Sequence, residues 1–181
     1  MKVTETKLKG CFIIEPAIFE DDRGYFYESF NIKKLNEAIG KNINFVQDNQ
    51  SYSYRGVIRA IHYQTGEFAQ AKLVRVLSGR VLDVAVDLRK NSPTFGQHVT
   101  QELSAENKIQ LFIPRGFGHG FSVLSDTAEF FYKCDNFYNK DSEGGIIYND
   151  PGLSIDWQLA VDEIKVSKKD LELPVIENAL F

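Results

Sequence analysis

The sequence predicts a mainly β fold, a jelly-roll sandwich or barrel of about ten strands with a few short helices. Three observations carry that prediction. Aromatic residues are abundant, with 14 Phe, 8 Tyr and 1 Trp among 181 residues, and aromatic side chains pack well on a pleated surface. From Asn44 to Tyr138 hydrophobicity alternates mostly with a period of two. The alternating segments are separated by tight turns at regular intervals. No repeat, low-complexity run or flexible linker divides the chain, so a single domain over residues 1–181 is expected, long enough to bury a core without covalent staples.

The elements follow in order. Cys11–Pro16 is an apolar strand, and Asp21-Asp22-Arg23-Gly24 is a turn into a strand-like Gly24–Phe30. Asn31–Gly40 is the first helix: Ile32, Leu35 and Ile39 share a face, Asn31 can cap its start and Gly40 its end. Lys72–Leu77 and Arg80–Leu88 flank Ser78-Gly79 and read as a hairpin. Val99–Leu103 with Lys108–Ile113, and Phe117–Leu124 with Ala128–Cys134, read as two more. Ile146–Tyr148 is a further short strand, and Ser167–Leu173 a helical turn stopped by Pro174.

Composition excludes several classes of function. A net charge of -4 and a pI near 5.4 argue against a nucleic-acid partner. Cys11 and Cys134 lie far apart in the sequence and are expected as free, buried thiols in a reducing cytoplasm. The N-terminus lacks a hydrophobic signal core and no apolar run could span a bilayer, so a cytoplasmic protein with no membrane partner is expected.

The chemistry is confined to a few residues. In Gly56–Gln64, strict alternation puts Ile58, Ala60, His62 and Gln64 on one face and Val57, Arg59, Ile61 and Tyr63 on the other. His62 is then either a hydrogen-bonded core histidine or a general base. Lys72 shares a face with Val74 and Val76, unusual company for a solvated charge, and could stabilise an enolate oxygen or snorkel out to water. Asp83, Asp87 and Asp170 are the carboxylates that could orient His62, although Asp170 also fits a capping box begun by Ser167. Tyr132 and Tyr138 could be core, stacking or acid groups. Arg23, Arg59 and Arg75 suit a phosphate, if they are not simply solvated. Gly116-Phe-Gly-His-Gly120 has the wrong spacing for a phosphate loop, and its glycines are expected to allow close approach at a barrel mouth. His119 could at most pair with His62, so no metal site is expected.

Matching segments run nearly from end to end of the chain. They include Phe19-Glu-Asp-Asp-Arg-Gly-Tyr-Phe-Tyr-Glu-Ser29, Gly56-Val-Ile-Arg-Ala-Ile-His-Tyr-Gln64, Ala69-Gln-Ala-Lys-Leu-Val-Arg75, Ile113-Pro-Arg-Gly-Phe-Gly-His-Gly-Phe121 and Tyr148-Asn-Asp-Pro151. By these the chain resembles the dTDP-4-dehydrorhamnose 3,5-epimerases, metal-independent members of the cupin superfamily. The resemblance implies a cupin-type jelly roll and a cofactor-free reaction, inversion at C3 and C5 beside the C4 ketone of dTDP-4-dehydro-6-deoxy-D-glucose. It implies His62 as base, Asp170 as its orienting carboxylate, Lys72 as the oxyanion partner and Tyr138 as the acid on the opposite face. It further implies Arg23 and Arg59 for the diphosphate, Phe19, Glu28, Gln47 and Asn49 for the thymidine, and Phe137 as a stacking partner. Asp83, His119 and Tyr132 would line the site. A homodimer is implied, with the segment bearing Phe19, Arg23 and Glu28 reaching into the partner's site. Ala60 and Ala71 stand where the family often has glycine, each adding a methyl near the wall. Two rivals remain: an epimerase acting at one carbon only, and a non-enzymatic cupin that binds a nucleotide sugar.

Overall fold

The computed structural model describes residues 1–181. The chain begins with β1 (Lys2–Glu5), β2 (Phe12–Glu15), β3 (Phe19–Asp21), β4 (Gly24–Phe26) and the helix α1 (Ile32–Ile39). It continues through β5 (Gln47–Tyr54), β6 (Ile58–Gln64), β7 (Lys72–Ser78), β8 (Arg80–Asp87) and β9 (His98–Ser104). Next come β10 (Gln110–Ile113), β11 (Phe117–Val123), β12 (Thr127–Cys134), β13 (Glu143–Gly145) and the helical turn α2 (Lys168–Leu171). One six-stranded sheet has the order β1-β2-β10-β7-β12-β5, and a five-stranded sheet has the order β13-β6-β11-β8-β9. β3 and β4 pair only with each other. The mainly β expectation holds.

The two large sheets face each other across one core. Val74, Val76, Leu111 and Phe130 point inward from the six-stranded sheet, and Val81, Ala85, Phe117 and Phe121 from the five-stranded one. Phe121 and Phe130 stack across the interface with ring centroids 4.3 Å apart.

None of the three expected hairpins forms. β7 and β8, β9 and β10, and β11 and β12 each straddle the two sheets. Ser78 instead pairs with Glu129 on β12, while Arg80 pairs with Ser104 on β9. Two corners nest against each other: a Cβ on Gly79 would lie 2.0 Å from the Thr127 carbonyl, and Ser125 Oγ accepts the Arg80 N–H at 2.8 Å. Periodicity cannot distinguish this corner from a hairpin, because either arrangement leaves one buried face on each strand.

α1 forms as expected, with the Lys34 N–H donated to Asn31 Oδ1 at 3.1 Å and Gly40 left-handed at φ 65°. The strand expected to reach Phe30 stops at Phe26. The strand expected at Ile146–Tyr148 falls at β13 instead, although Ile146 still exchanges both backbone hydrogen bonds with Ile61, at 2.8 and 2.9 Å. Cys11 and Cys134 are buried and unpaired. No helix is long and apolar enough to cross a membrane.

The segment after β13 lies over the outer face of the five-stranded sheet. Ile146, Leu153 and Trp157 pack there on Ile58, Ala60, Ile61, Val84 and Val86. Trp157 Nε1 donates to the Tyr148 carbonyl and Ser122 Oγ to the Trp157 carbonyl, both at 2.8 Å. Asp150 fixes the same segment by accepting the Leu153 and Ile176 N–H groups at 2.8 and 2.7 Å.

Candidate active site

The site depends on an irregularity in β6. His62 lies opposite His119 and Arg59 opposite Phe121, so Ala60 and Ile61 together face Gly120. This is a β-bulge, one extra residue on one strand. It turns Arg59 and His62 to the same inner face, while Ala60 and Ile61 both join the outer cluster. The expectation that Arg59 and His62 lie on opposite faces, with Ile58 and Ala60 beside His62, is therefore corrected. Gly120 makes the bulge possible, since a Cβ there would sit 2.5 Å from Ala60 Cβ. A Cβ on Gly118 would meet Ile61 Cγ2 at 2.4 Å. These glycines do allow close approach, but against β6 and the outer core, away from the barrel mouth.

A cleft of about 310 Å³ opens between the sheets. From the five-stranded sheet it takes Arg59, His62, His119 and Glu143, and from the six-stranded sheet Asn49, Lys72 and Tyr132, with Tyr138 just beyond β12. A larger groove of about 520 Å³ runs between the β3–β4 hairpin and α1, lined by Phe19, Glu28 and Lys34, but its one ion pair, Glu28 with Lys34, is an exposed one and no histidine lies there. The titratable groups converge in the smaller cleft.

His62 Nε2 and Asp170 Oδ1 are 2.9 Å apart. The carboxylate can only accept, so Nε2 carries the proton and Nδ1 is left as an acceptor. Asp170 is 5% exposed. Burial opposes its charge, but the hydrogen bond from His62 and the contacts from Ser167 and the Ala60 N–H outweigh that, holding the carboxyl below the usual range. Ser167 caps α2 by accepting the Asp170 N–H at 3.1 Å, so the cap and the histidine contact coexist. Asp83 faces His119 instead, at 2.9 Å. Asp87 is taken by Arg89, Ser92 and Thr94 in the loop after β8.

Lys72 points inward beside Tyr132, its ammonium 5.8 Å from the ring centroid. Burial pushes that ammonium below lysine's ordinary value. Tyr132 pairs with Val74 and Asn49 on the inner face of β12, and burial raises its hydroxyl above the ordinary value. Tyr138 is 53% exposed at the rim. Its hydroxyl donates to Glu143 Oε2 at 3.1 Å and its N–H to Gln47 Oε1 at 3.1 Å. Desolvation and then the Glu143 carboxylate raise the Tyr138 hydroxyl as well. Gln47 also donates to Asn49, and Arg59 Nε to Ser53 Oγ at 3.1 Å.

Phe19, Arg23, Glu28, Phe137 and Arg75 stay outside the cleft of their own chain. Phe19 is 65% exposed on β3, Arg23 is paired with Asp21 at 2.6 Å, and Glu28 is paired with Lys34 at 2.8 Å. Phe137 is 63% exposed beside the rim. Arg75 bonds Tyr27 Oη at 3.2 Å and lies over Phe131, away from the site. Sequence reasoning missed Glu143 and Lys169, which pair at 2.7 Å beside Tyr138. No alternation marks them, because Glu143 lies in a three-residue strand and Lys169 in a single helical turn. No three His, Cys, Asp or Glu side chains gather as metal ligands.

Known proteins resemble this chain over nearly its full length. A family model described as dTDP-4-dehydrorhamnose 3,5-epimerase matches residues 5–178. The dTDP-4-dehydrorhamnose 3,5-epimerase of Escherichia coli (strain K12) is 53% identical over 180 residues, 99% of this chain and 97% of that one. The crystal structure of dTDP-4-dehydrorhamnose 3,5-epimerase from Elizabethkingia anophelis NUHP1 is 58% identical with a TM-score of 0.95, covering 98% of this chain and 97% of that one. The dTDP-6-deoxy-D-glucose-3,5-epimerase of Legionella pneumophila Philadelphia 1, solved with dTDP-4-keto-L-rhamnose, is 49% identical with a TM-score of 0.94, covering 98% and 93%. Alike in sequence and in overall fold, the chain belongs to the dTDP-4-dehydrorhamnose 3,5-epimerase family.

Proposed function

We propose that the protein inverts C3 and C5 of dTDP-4-dehydro-6-deoxy-D-glucose, giving dTDP-4-dehydro-β-L-rhamnose without a cofactor, in dTDP-L-rhamnose biosynthesis. One observation carries the reading: a carboxylate-held histidine on one sheet faces a lysine and a tyrosine on the other across a single cleft. A proton beside a ketone becomes removable when the developing enolate oxygen meets a cation. In this reading His62 Nδ1 takes the proton, Asp170 stabilises the imidazolium, and Lys72 meets the C4 oxygen. The enolate is then protonated from the opposite side, which inverts the carbon.

Two tyrosines compete for that last step. The family resemblance points to Tyr138, and a raised hydroxyl pKa keeps it protonated. What favours Tyr132 is its position on the inner face of β12, opposite β6 and beside Lys72, whereas Tyr138 stands at the rim with its hydroxyl on Glu143. We assign the acid to Tyr132 and give Tyr138 a rim position against the nucleotide, beside Gln47, Asn49 and Phe137. Arg59 and His119 bind the diphosphate and sugar. Phe19, Arg23 and Glu28 complete the nucleotide contacts from a second copy in a cytoplasmic homodimer, each subunit one domain of residues 1–181.

The test is incubation with dTDP-4-dehydro-6-deoxyglucose in deuterated water, followed by NMR. Deuterium at both C3 and C5 is the expected result. Label at one carbon would mean a single-site epimerase, and none at either would mean a nucleotide-sugar binder without catalysis.

A further inference from the structure

Asp83 is wholly buried in the middle of β8, yet only half of its carboxylate is used. Oδ2 meets His119 Nε2 at 2.9 Å, while Oδ1 is buried with no hydrogen-bond partner. Leaving such an oxygen unpaired forfeits its hydration with nothing in return, and natural cores rarely tolerate that without a reason. Lys72 enters the same interior from the facing sheet, where burial opposes its charge and Cys134, then Asp83, favour it through space without a hydrogen bond.

The neighbours of Lys72 narrow the choice of counter-ion. On β12, Cys134 is pushed up to about 11 by burial, and burial also raises Tyr132, so both are neutral near pH 7. On β10 the paired residue is the apolar Ile113. His119 on β11 is disfavoured as a cation by burial, and β6 offers His62 and the cation Arg59. Asp170 is engaged by His62, and Glu143 by Lys169 and Tyr138.

We propose that Asp83 is the standing counter-ion of Lys72 and thus a positioning residue: the charge of its unpaired carboxylate oxygen steadies the ammonium through space until a substrate ketone oxygen takes over. The proposal rests on Lys72 being the oxyanion partner. A lysine must keep its proton to stabilise an enolate, and an opposite charge in a dry site is what preserves it. Asp83 would therefore set the alkaline limit of catalysis from behind the residues that touch the substrate.

The experiment follows the Lys72 Cε resonance by ¹³C NMR through a pH titration, assigned with Lys72→Arg, alongside the pH profile of kcat. Wild-type Lys72 should stay an ammonium through neutral pH. Asp83→Asn should lower both its titration and the alkaline limb of kcat by about one pH unit or more. His119→Asn, which keeps the carboxylate, should leave the titration in place or move it upward. A neutral Lys72 at pH 7 in the wild type would overturn the proposal. So would an unmoved titration in Asp83→Asn, or an equal fall in His119→Asn. If Asp83→Asn fails to fold, the other two arms still decide. The titration uses no substrate, so it stands or falls separately from the epimerase reading.

Discussion

The five-stranded and six-stranded sheets build one cleft from different physical situations. β8 and β11 are buried on both faces, because the core lies inside and the C-terminal segment outside. β5, at the edge of the other sheet, buries little, and Tyr52 and Tyr54 stand outward in solvent. His62, His119 and Asp83 come from the covered sheet, and Lys72, Tyr132, Asn49 and Gln47 from the more open one. The covered sheet thus holds its two histidines against carboxylates, His62 on Asp170 and His119 on Asp83, while Lys72 and Tyr132 face them from the more open sheet.

The largest effect should come from removing the base of the covered sheet. His62→Ala is expected to lower the rate of deuterium exchange at both carbons by roughly 10²–10⁴-fold, measured by NMR in deuterated water. An unchanged exchange rate in a folded His62→Ala variant would take the base off the covered sheet. Stability should divide in the same way. Trp157→Ala, on the outer face of the five-stranded sheet, should cost roughly 3–5 kcal/mol in urea unfolding, whereas Tyr52→Ala on the outer face of β5 should stay within about 0.5 kcal/mol.

Next is the bulge. Gly120→Ala forces a methyl against Ala60 and should cost about 1–3 kcal/mol, with a fall in kcat of about 10²-fold as His62 is displaced. An unchanged kcat in a folded variant would mean that the bulge does not position the base.

The smallest effect concerns acid. Asp170 ionises more readily in the folded chain than in the unfolded one, so its contribution to stability is present above the ordinary carboxylate pKa and is lost as pH falls through the lower folded value. Asp170→Asn should flatten the stability–pH curve below about pH 4 relative to the wild type, with little change in shape above about pH 5.

Much of this was legible in the residues. Asn31 and Gly40 bracket α1 because capping chemistry is local, and Lys72 beside Val74 and Val76 pointed inward because alternation is local too. The three supposed hairpins failed because choosing between a corner and a hairpin depends on which sheet each strand joins, a long-range matter. Alternation puts Arg59 on the wrong face because one inserted residue reverses parity, and only the fit of Gly120 against Ala60 reveals it. Asp170 could be raised above a helix cap only by family resemblance, since it lies 108 residues from His62. Glu143 and Lys169 carried no pattern at all.

If proton removal and proton return come from opposite sheets, two tyrosine variants must behave differently. In deuterated water, Tyr132→Phe should keep washing deuterium into the substrate while inversion collapses. Tyr138→Phe should still invert, chiefly with a raised KM. The reverse pattern, with inversion lost in Tyr138→Phe and kept in Tyr132→Phe, would return the acid to the rim.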